Sequence, residues 1–420
     1  MDRVILHCDM NAFYASVELL SFPELASRPV AVCGDPEARH GIILAKNERA
    51  KAFGVVTAET VWSARRKCPG LVLLSAHHDR YREYCRRING IYCRFTDMVE
   101  AFSIDESWLD VTGSTRLFGG GEEIADNIRR TVKGELGLTL SVGVSFNKIF
   151  AKMGSDYRKP DATTLVSRGN FRQLIWPLPV RDMFGVGGAT AAKLAGRGIK
   201  TIGGLASCDR TLLEAQLGKN GGLLHDRANG LDDSPVAAAL ERRRIKSVGN
   251  GTTFRRDISG EEDIRAGVVA LADTVAGRLR KHGVKCRCVR VDIKDPLFRT
   301  ISRQTRLAAA TNVTEDIVRA AMGLMARHWR SGDPIRLITV TAEALADEGD
   351  AEQMSFLDGA SLGTGAAPDG PRRGESLDRA VDSIRRRYGA GAITFGSVLN
   401  NDIGVGVETE MDEHADWPGL

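Results

Sequence analysis

Residues 102–111 read FSIDESWLDV, so two adjacent carboxylates, Asp105 and Glu106, interrupt an apolar run of the kind that forms a strand. A second apolar run near the N-terminus, residues 4–8, is followed directly by Asp9. Because a carboxylate is costly to bury alone, three acids at the ends of two such runs indicate one divalent-metal site. The alternative is that Asp105 and Glu106 cap a surface hairpin and bind nothing.

Carboxylates that hold two divalent ions allow a specific chemistry, in which one ion activates an attacking oxygen and the other stabilises the leaving oxygen. Asp9 and Asp105 are the candidate bridging ligands, and Glu106 is the candidate ligand of the ion beside the attacking group. The carbonyl of Met10 supplies a further oxygen. Ligands that are all oxygen favour Mg2+. Asp110 lies further along the outgoing strand, and we expect it to be structural.

The composition excludes several classes of protein. The chain has 420 residues, of which 43% are apolar and 27% charged, and this is typical of a globular protein with several domains. No apolar run reaches the length of a membrane span, and Asp2 and Arg3 argue against a secretory signal. Eight cysteines without a Cys-x-x-Cys pair favour reduced thiols, so we expect a cytoplasmic protein.

Positive and negative charges are separated along the chain. Residues 242–345 contain 21 Lys and Arg against 11 Asp and Glu, whereas residues 346–420 contain 6 against 15. The first of these regions is a candidate for binding a polyanion, and the second is not. The alternative for the basic region is a solvated face without a partner.

Hydrophobic periodicity predicts one sheet that is interrupted by an inserted subdomain and then resumed. The predicted elements of this part are a strand at 3–9, a helix at 13–20, the insertion, a helix at 80–95, the acidic hairpin, a helix at 120–135, a strand at 138–144 and a helix from Asn147. This βαββαβ order brings the ends of the central strands together, so Asp9 can meet Asp105. Short helices fill residues 166–235, and residues 245–345 alternate four strands with two helices.

A nucleotide substrate beside these acids needs cations for its phosphates. The candidates are Lys148, Lys152 and Lys159 downstream of the acids, and Lys46, Arg49 and Lys51 within residues 45–55. We expect Lys51 and at least one of Lys46 and Arg49 to face the same cleft. A lone surface lysine is usually only solvated, so it is the joint placement of these residues around the acids that favours a role.

Five stretches of the chain, in this order and spacing, resemble those of Y-family translesion DNA polymerases of the bacterial DNA polymerase IV type. They are HCDMNAFYASVE (7–18), FSIDESWLDVTG (102–113), SVGVSFNKIFAKMGSDYRKPD (141–161), FGVGGATAAKL (184–194) and KSVGNGTTF (246–254). The resemblance covers residues 1 to about 345. It implies an α+β, multidomain right-hand polymerase fold with a βαββαβ palm, small inserted fingers, a helical thumb containing a helix-hairpin-helix and a C-terminal α/β little finger domain.

The same resemblance implies domain bounds. They are 1–10 and 76–165 for the catalytic palm, 11–75 for the fingers, 166–240 for the thumb, 241–345 for the DNA-binding little finger, and 346–420 for a flexible acidic tail with one helix.

The resemblance also assigns residues to the active site. Asp9, Asp105 and Glu106 match the catalytic carboxylates, which bind two Mg2+ ions. Tyr14 matches the steric gate, whose ring leaves no volume for a 2′-hydroxyl and so excludes ribonucleotides. The remaining expected nucleotide contacts are Phe13, Lys51, Arg49 and Lys159.

Two departures from the family pattern concern this site. Asn11 replaces a second acid, which is not one of the three catalytic carboxylates, so activity should survive. Glu48 stands where many relatives have a tyrosine that touches the triphosphate, and Lys51 stands where they have an arginine. The triphosphate contact at that point is therefore in doubt.

Two regions are expected to bind DNA without reading its sequence. Gly185, Gly187 and Gly188, followed by Lys193, resemble a helix-hairpin-helix, in which glycines let backbone N–H groups approach a phosphate. In the basic domain the expected contacts are Lys246, Arg255, Arg290 and Arg303. Contacts that are mainly to phosphate imply salt-sensitive binding.

The tail contains two further features. Gln353, Phe356 and Leu357 resemble the short peptide with which bacterial polymerases bind the β sliding clamp. A helix predicted at 376–388 has Leu377, Val381, Ile384 and Tyr388 along one face. Its partner is either the little finger or another protein.

The sequence therefore predicts a DNA-directed DNA polymerase, a nucleotidyltransferase that adds dNTPs to a primer 3′-hydroxyl. Because the chain has no length for a proofreading domain, the resemblance implies low-fidelity translesion synthesis in DNA repair and damage tolerance, by a monomer with no membrane association. One alternative is a non-catalytic relative that scaffolds a mutagenesis complex on DNA and clamp. Another is a palm-type nucleotidyl cyclase, which would explain the acids but neither of the DNA-binding regions.

Overall fold

The computed structural model of the chain describes residues 2–34, 41–239, 241, 244–347, 373–399 and 401–406. The chain divides after residue 242 into two units. No helix among these residues is long and apolar enough to cross a membrane.

The first unit begins with a strand that is buried along its whole length, and an insertion follows it. The elements are β1 (Ile5–Met10), α1 (Phe13–Leu19), β2 (Val30–Cys33), β3 (Ile43–Lys46), α2 (Glu48–Ala52), α3 (Val61–Lys67) and β4 (Val72–Ser75). Strands β2, β3 and β4 form their own sheet in the order β3-β2-β4. A small apolar core that includes Ile43, Val55 and Val61 supports it. The insertion predicted from the sequence thus has a sheet and a small core of its own.

The chain then returns to complete the palm sheet. Its elements are α4 (His78–Tyr92), β5 (Val99–Ala101), β6 (Glu106–Asp110), α5 (Thr115–Phe118), α6 (Gly121–Leu136), β7 (Leu140–Ser145), α7 (Lys148–Tyr157) and β8 (Thr163–Val166). The strand order is β5-β6-β1-β7-β8, and β1 pairs antiparallel with both β6 and β7. Helices α4 and α6 contribute Tyr81, Ile88, Ile124 and Ile128 to the core beneath the sheet. The central strands therefore bring Asp9 beside the acidic pair, as predicted.

One detail of this region differs from the sequence prediction. The apolar run at 102–111 is not a continuous strand, because residues 102–105 form the turn between β5 and β6. Phe102 and Ser103 both donate their backbone N–H to the carbonyl of Glu106, and these bonds close the turn. Asp105 therefore lies in the turn, while Glu106 is the first residue of β6.

The rest of the first unit is helical. It contains α8 (Phe171–Leu174), α9 (Gly188–Ala195), α10 (Ile202–Ala206), α11 (Arg210–Leu217) and α12 (Lys219–Ala228). These helices pack around their own core, to which α7 contributes Ile149 and Phe150. The result matches the predicted helical thumb.

The second unit is a four-stranded antiparallel sheet with two helices. Its elements are β9 (Ser247–Ile258), α13 (Glu261–Lys281), β10 (Val284–Lys294), β11 (Thr300–Thr311), α14 (Thr314–His328) and β12 (Ile335–Asp347), and the strand order is β11-β10-β12-β9. One face of the sheet carries Val289, Val291, Ile338 and Val340, which pack in one core with the two helices. The alternate residues form the open face of the sheet.

Part of the tail is folded, including the helix predicted at 376–388. Helix α15 (Arg373–Tyr388) and residues 389–399 and 401–406 are folded as part of the second unit. The buried guanidinium of Arg280 on α13 bonds both oxygens of Asp382, at 2.6 and 2.9 Å, and Asp378 at 2.9 Å. Ile403 is fully buried in the domain core. Acidic side chains that look solvated in the sequence thus find cations on the basic domain.

The open question about the partner of the tail helix is also answered. Helix α15 packs on the second unit through Glu375, Asp378 and Asp382, not through its apolar face. Leu377 remains 64% exposed and Tyr388 66% exposed.

Candidate active site

The register of the palm sheet sets the relative positions of the three carboxylates. Asp9 on β1 lies opposite Glu106 on β6, and the backbone N–H of Met10 donates to the carbonyl of Asp105 at 3.0 Å. Asp9 is only 4% exposed. Ser103 donates its hydroxyl to the Asp105 carboxylate at 2.6 Å and orients it. Asp110 accepts two bonds from Thr112 and is structural, as predicted.

A close helix–sheet contact delivers two lysines to these acids. A Cβ added at Gly143 on β7 would collide with the backbone of Ala151 and Ser155 on α7, so only glycine permits this approach. From α7, Lys152 reaches Glu106 at 2.8 Å and Asp9 at 3.4 Å. Just after the helix, Lys159 reaches Asp9 at 2.7 Å.

The electrostatics separate the two paired acids. Burial raises the pKa of Asp9 to about 7, although Lys159 and Lys152 oppose this rise. Burial by itself would also raise the pKa of Glu106, but His7 and the charge of Lys152 beside it hold that pKa well below its ordinary value. Burial raises the pKa of Asp105 as well. Because burial disfavours the ionised forms of Asp9 and Asp105, a divalent cation beside them would favour their ionisation.

The donor set fits a hard divalent metal, although it is not preassembled around one. Within the described ranges, no group of three or more His, Cys, Asp and Glu side chains stands ready to hold an ion. Instead, the carboxylate oxygens of Asp9 and Glu106 form ion pairs with Lys152 and Lys159. The Met10 side chain is buried in the palm core, so only its backbone carbonyl could be a ligand. All the available donors are oxygens, as Mg2+ prefers.

A buried histidine supports Glu106 from below. The Ser155 hydroxyl lies 2.7 Å from the carbonyl of Lys152, to which it can donate, and 2.8 Å from Nδ1 of His7. Nε2 of His7 lies 3.7 Å from the Glu106 carboxylate. Burial lowers the pKa of His7 to about 4, so the ring is neutral at pH 7. His7 therefore fills space beneath the acid without adding a charge.

Tyr14, the predicted steric gate, rests on a second tyrosine. Its ring stacks on Tyr81 of α4, with centroids 4.0 Å apart and planes 12° apart. Tyr81 is fully buried, and its hydroxyl donates to the buried carboxylate of Glu18 at 2.6 Å. Tyr81 and Glu18 thus fix the position of the Tyr14 ring.

The other predicted nucleotide contacts are placed differently. Phe13 is buried in the palm core, so its side chain cannot contact a nucleotide. Arg49 on α2 turns to the carbonyl of Ala26 at 3.3 Å. Residues two apart on a helix point in nearly opposite directions, which separates Arg49 from Lys51. Burial and the nearby charge of Lys51 instead lower the pKa of Lys46, so Lys46 is the cation beside Lys51.

The expected DNA contacts of the thumb lie at a helix start. Gly187 and Gly188 begin α9, and Gly185 has a φ of 93°, which favours glycine. No atom would lie within 4 Å of a Cβ at Gly187 or Gly188, so the backbone there is open to a ligand. Lys193 on α9 is exposed.

In the second unit the expected DNA contacts are spread over different surfaces. Lys246 is exposed, and Arg255 packs its side chain near Gly404 of the tail. Arg290 is on the open face but is paired with Glu343 at 2.6 Å and Asp292 at 3.3 Å. The register pairs Arg303 with Val291, which places it on the helix-covered side. The predicted clamp-binding residues Gln353, Phe356 and Leu357 lie outside the described residues.

Sequence reasoning did not assign roles to Tyr81 and His7, and it gave Lys152 only as a candidate phosphate contact, whereas Lys152 pairs with Glu106 and Asp9. Lys152 carried one signal, because it precedes Lys159 by seven residues, close to two helical turns. His7 lies two residues before Asp9 on a strand, and so on the same face of the sheet. Tyr81 gave no local signal, since its stacking on Tyr14 joins elements that are 67 positions apart in the chain.

Comparisons with known proteins agree with this geometry. The model of the impB/mucB/samB family matches residues 8–156, the model of its C-terminal domain matches 245–356, and the model of its HHH motif matches 168–199. A Y-family DNA polymerase chimera of known structure superimposes with a TM-score of 0.72, at 22% identity, covering 82% of this chain and 99% of the other.

Curated relatives extend over the whole chain. A protein named DNA polymerase IV from Acetivibrio thermocellus is 45% identical over 96% of this chain and 98% of its own length. DNA polymerase IV 1 from Bacillus subtilis is 37% identical over 95% of this chain and 94% of its own. The chain therefore belongs to the impB/mucB/samB family, the Y-family DNA polymerases of the DNA polymerase IV type.

Proposed function

We propose that this DNA-directed DNA polymerase adds dNTPs to a primer 3′-hydroxyl at Asp9, Asp105 and Glu106, without proofreading, during translesion synthesis. The observation that supports this most is the pairing of Asp9 with Glu106 across β1 and β6, with Asp105 in the adjoining turn. A non-catalytic scaffold would not require three acids at the same end of the sheet.

Two Mg2+ ions are the proposed cofactor. Bound there, they would activate the primer oxygen and stabilise charge on the leaving phosphate. Asp9 and Asp105 would hold both ions, and Glu106 would hold the one beside the primer terminus. Lys159 pairs with Asp9 at 2.7 Å and with Asp156 at 2.8 Å, and it is the proposed triphosphate contact once a metal neutralises Asp9. Lys46 and Lys51 are the proposed phosphate contacts from the fingers.

Tyr14 is the proposed sugar selector. Its ring stacks on Tyr81 and cannot move away from the sugar, so a 2′-hydroxyl above it would clash with the ring. We expect Tyr14→Ala to raise ribonucleotide incorporation relative to deoxyribonucleotide incorporation.

DNA is the proposed partner of two surfaces. The backbone at Gly185, Gly187 and Gly188, with Lys193, would grip a phosphate without reading bases. In the second unit, the register puts Lys294 and Arg306 on the open face with Gly249, Gly251 and Thr339, and these two cations are the proposed phosphate contacts there. Lys246, Arg255 and Arg290 are proposed to assist, and Arg303 lies on the opposite side.

The clamp, the oligomeric state and the compartment are proposed from the sequence. Gln353, Phe356 and Leu357 would bind the β sliding clamp, and the protein would act as a cytoplasmic monomer. Loss of clamp binding in Gln353→Ala with Phe356→Ala would support the first of these, and unchanged binding would contradict it.

Primer extension with Mg2+ tests the catalytic proposal. Wild-type protein should extend a primer on an intact template and past a damaged base, and Asp105→Ala with Glu106→Ala should extend neither. Lys133→Ala, which alters an exposed lysine on α6, serves as a matched control with wild-type activity. Equal extension by the double variant and the wild type would rule out these acids as the catalytic site.

A further inference from the structure

The hairpin between β10 and β11 presents an unusual tip. Residues 295–299 read Asp-Pro-Leu-Phe-Arg. The backbone N–H of Phe298 donates to the carbonyl of Asp295 at 3.0 Å, and that of Asp295 donates to the carbonyl of Arg299 at 3.0 Å. The Asp295 carboxylate accepts from the backbone N–H of Arg299 at 2.9 Å and from its Nε at 2.7 Å. The loop is therefore closed and rigid.

Phe298 occupies a backbone position that does not suit it. Its φ is 64°, in the left-handed region. Three-residue hairpin loops of this kind, a turn followed by one left-handed residue, normally place glycine or asparagine there. A bulky aromatic residue at positive φ costs conformational energy, and such costs concentrate at functional positions.

Packing does not account for the phenylalanine either. Its side chain is 66% exposed, and the neighbouring Leu297 is 71% exposed. Neither belongs to the apolar core of the second unit among the described residues. The ring is thus held out in solvent by a strained and well-bonded loop, which indicates that the exposed ring itself is used.

The charges around the ring identify the kind of ligand. The guanidinium of Arg336 lies 4.7 Å from the ring centre. Lys294 is the residue before the loop and pairs with Leu337, the neighbour of Arg336 on β12. The acid of the loop, Asp295, is already paired with Arg299 at 2.7 Å. Arg336 therefore lies over the exposed ring, and Lys294 and Arg299 flank the loop in the sequence. A cation beside an exposed ring suits a polyanion with flat apolar groups better than an apolar peptide.

We propose that Phe298 is a stacking platform for an unpaired base of single-stranded DNA, with Lys294, Arg299 and Arg336 contacting the adjoining phosphates. Base–aromatic stacking tolerates any base, because every base has a flat face. A blunt duplex offers no unpaired base, so it should not use the platform. The choice of DNA as the ligand rests on the proposed function, whereas the platform itself rests on the loop geometry.

Fluorescence anisotropy with a labelled oligothymidylate and with a labelled blunt duplex tests this site in the full chain. Phe298→Asn suits a positive φ, so thermal stability should be unchanged or higher while oligothymidylate affinity falls about fivefold or more. Phe298→Trp should retain the affinity, and Leu297→Ala is the matched control at the tip. Duplex affinity should not change in any variant.

Three results would overturn the platform. They are unchanged oligothymidylate affinity in Phe298→Asn, an equal loss for the duplex, and an equal loss in Leu297→Ala. If the tip binds a protein partner instead, the first of these results is expected. Primer extension by the same wild-type sample distinguishes failure of the two proposals. If the protein does not extend a primer but Phe298→Asn lowers oligothymidylate affinity, only the catalytic proposal is contradicted. If the protein extends a primer but Phe298→Asn leaves that affinity unchanged, only the stacking platform is contradicted.

Discussion

At the scale of single residues, the sugar selection proposed for Tyr14 would depend on the side chains behind its ring. Tyr14 stacks on Tyr81, whose hydroxyl is held by Glu18 at 2.6 Å. A gate ring without this support could tilt away from the sugar. Tyr81 is thus a positioning residue that never needs to touch the nucleotide.

Replacing Tyr81 should therefore weaken sugar discrimination. We expect Tyr81→Leu to lower the preference for dNTP over rNTP about tenfold, because a small shift of the ring opens space for a hydroxyl. Single-nucleotide incorporation with dNTP and rNTP in parallel measures this, with Tyr84→Leu on the same helix as the control. A uniform loss of both activities would indicate only damage to the fold.

The buried charge of Asp9 has a consequence for stability. Burial raises its pKa to about 7, so between about pH 4 and pH 7 the folded, metal-free protein keeps a proton that the unfolded chain releases. This group therefore destabilises the fold increasingly as the pH rises through that range.

The side chain introduced by Asp9→Asn cannot ionise, so this variant should not lose stability in this way as the pH rises. Its thermal midpoint relative to wild type should rise by a few degrees between pH 5 and pH 8 in the presence of a chelator. Added Mg2+ should then stabilise wild type at pH 8 more than the variant. A midpoint difference that does not change with pH would contradict the raised pKa.

At the scale of elements, the contact between β7 and α7 delivers the lysines. A Cβ at Gly143 would overlap backbone atoms of Ala151 and Ser155, which have no rotamer by which to move away. The helix would have to shift, and Lys152 would shift with it.

Gly143→Ala should destabilise the first unit by about 2–3 kcal/mol and slow incorporation. Chemical unfolding and primer extension measure the two effects. Gly134→Ala on α6 is the matched control, since nothing lies within 4 Å of its added Cβ, and it should be neutral or slightly stabilising. Equal stability of both variants would show that α7 can accommodate the methyl group.

Helix α15 is held to the second unit by a buried charge. Arg280 is 6% exposed and contacts two aspartates of the tail. Arg280→Ala should destabilise this unit by about 3–5 kcal/mol, because it leaves Asp378 and Asp382 buried without their cation.

Limited proteolysis near α15 and thermal unfolding would detect this loss. Arg256→Ala removes an arginine that is 45% exposed and pairs with Asp402, so its effect should be much smaller. If the two variants behave alike, the buried pairing does not hold the tail.

These elements show what the sequence could predict. The βαββαβ order and the acids at Asp9 and Glu106 follow from short apolar runs and helical periodicity, which local sequence encodes directly. The turn at 102–105 was harder, since its closure depends on backbone bonds to Glu106. The docking of α15 depends on Arg280, nearly a hundred positions away in the chain, and a charged helix face looks solvated until its partner is known.

At the scale of the whole molecule, the two charged segments turn out to be partners. The basic excess of 242–345 and the acidic excess of 346–420 meet in pairs such as Lys285 with Glu375 and Arg280 with Asp382. The sequence indicated the basic region as a candidate for binding a polyanion, with a solvated face as the alternative. Part of its charge instead stabilises the fold by pairing with the acidic segment.

The central claim is that Asp9, Asp105 and Glu106 form a catalytic site in which Glu106 serves the primer terminus. Single-turnover incorporation by Glu106→Gln, with dNTP affinity measured in the same samples, tests this most directly. The rate should fall about 1000-fold or more while dNTP affinity stays within about threefold of wild type. A wild-type rate, or a loss of dNTP affinity as large as that of Asp105→Ala, would contradict the account.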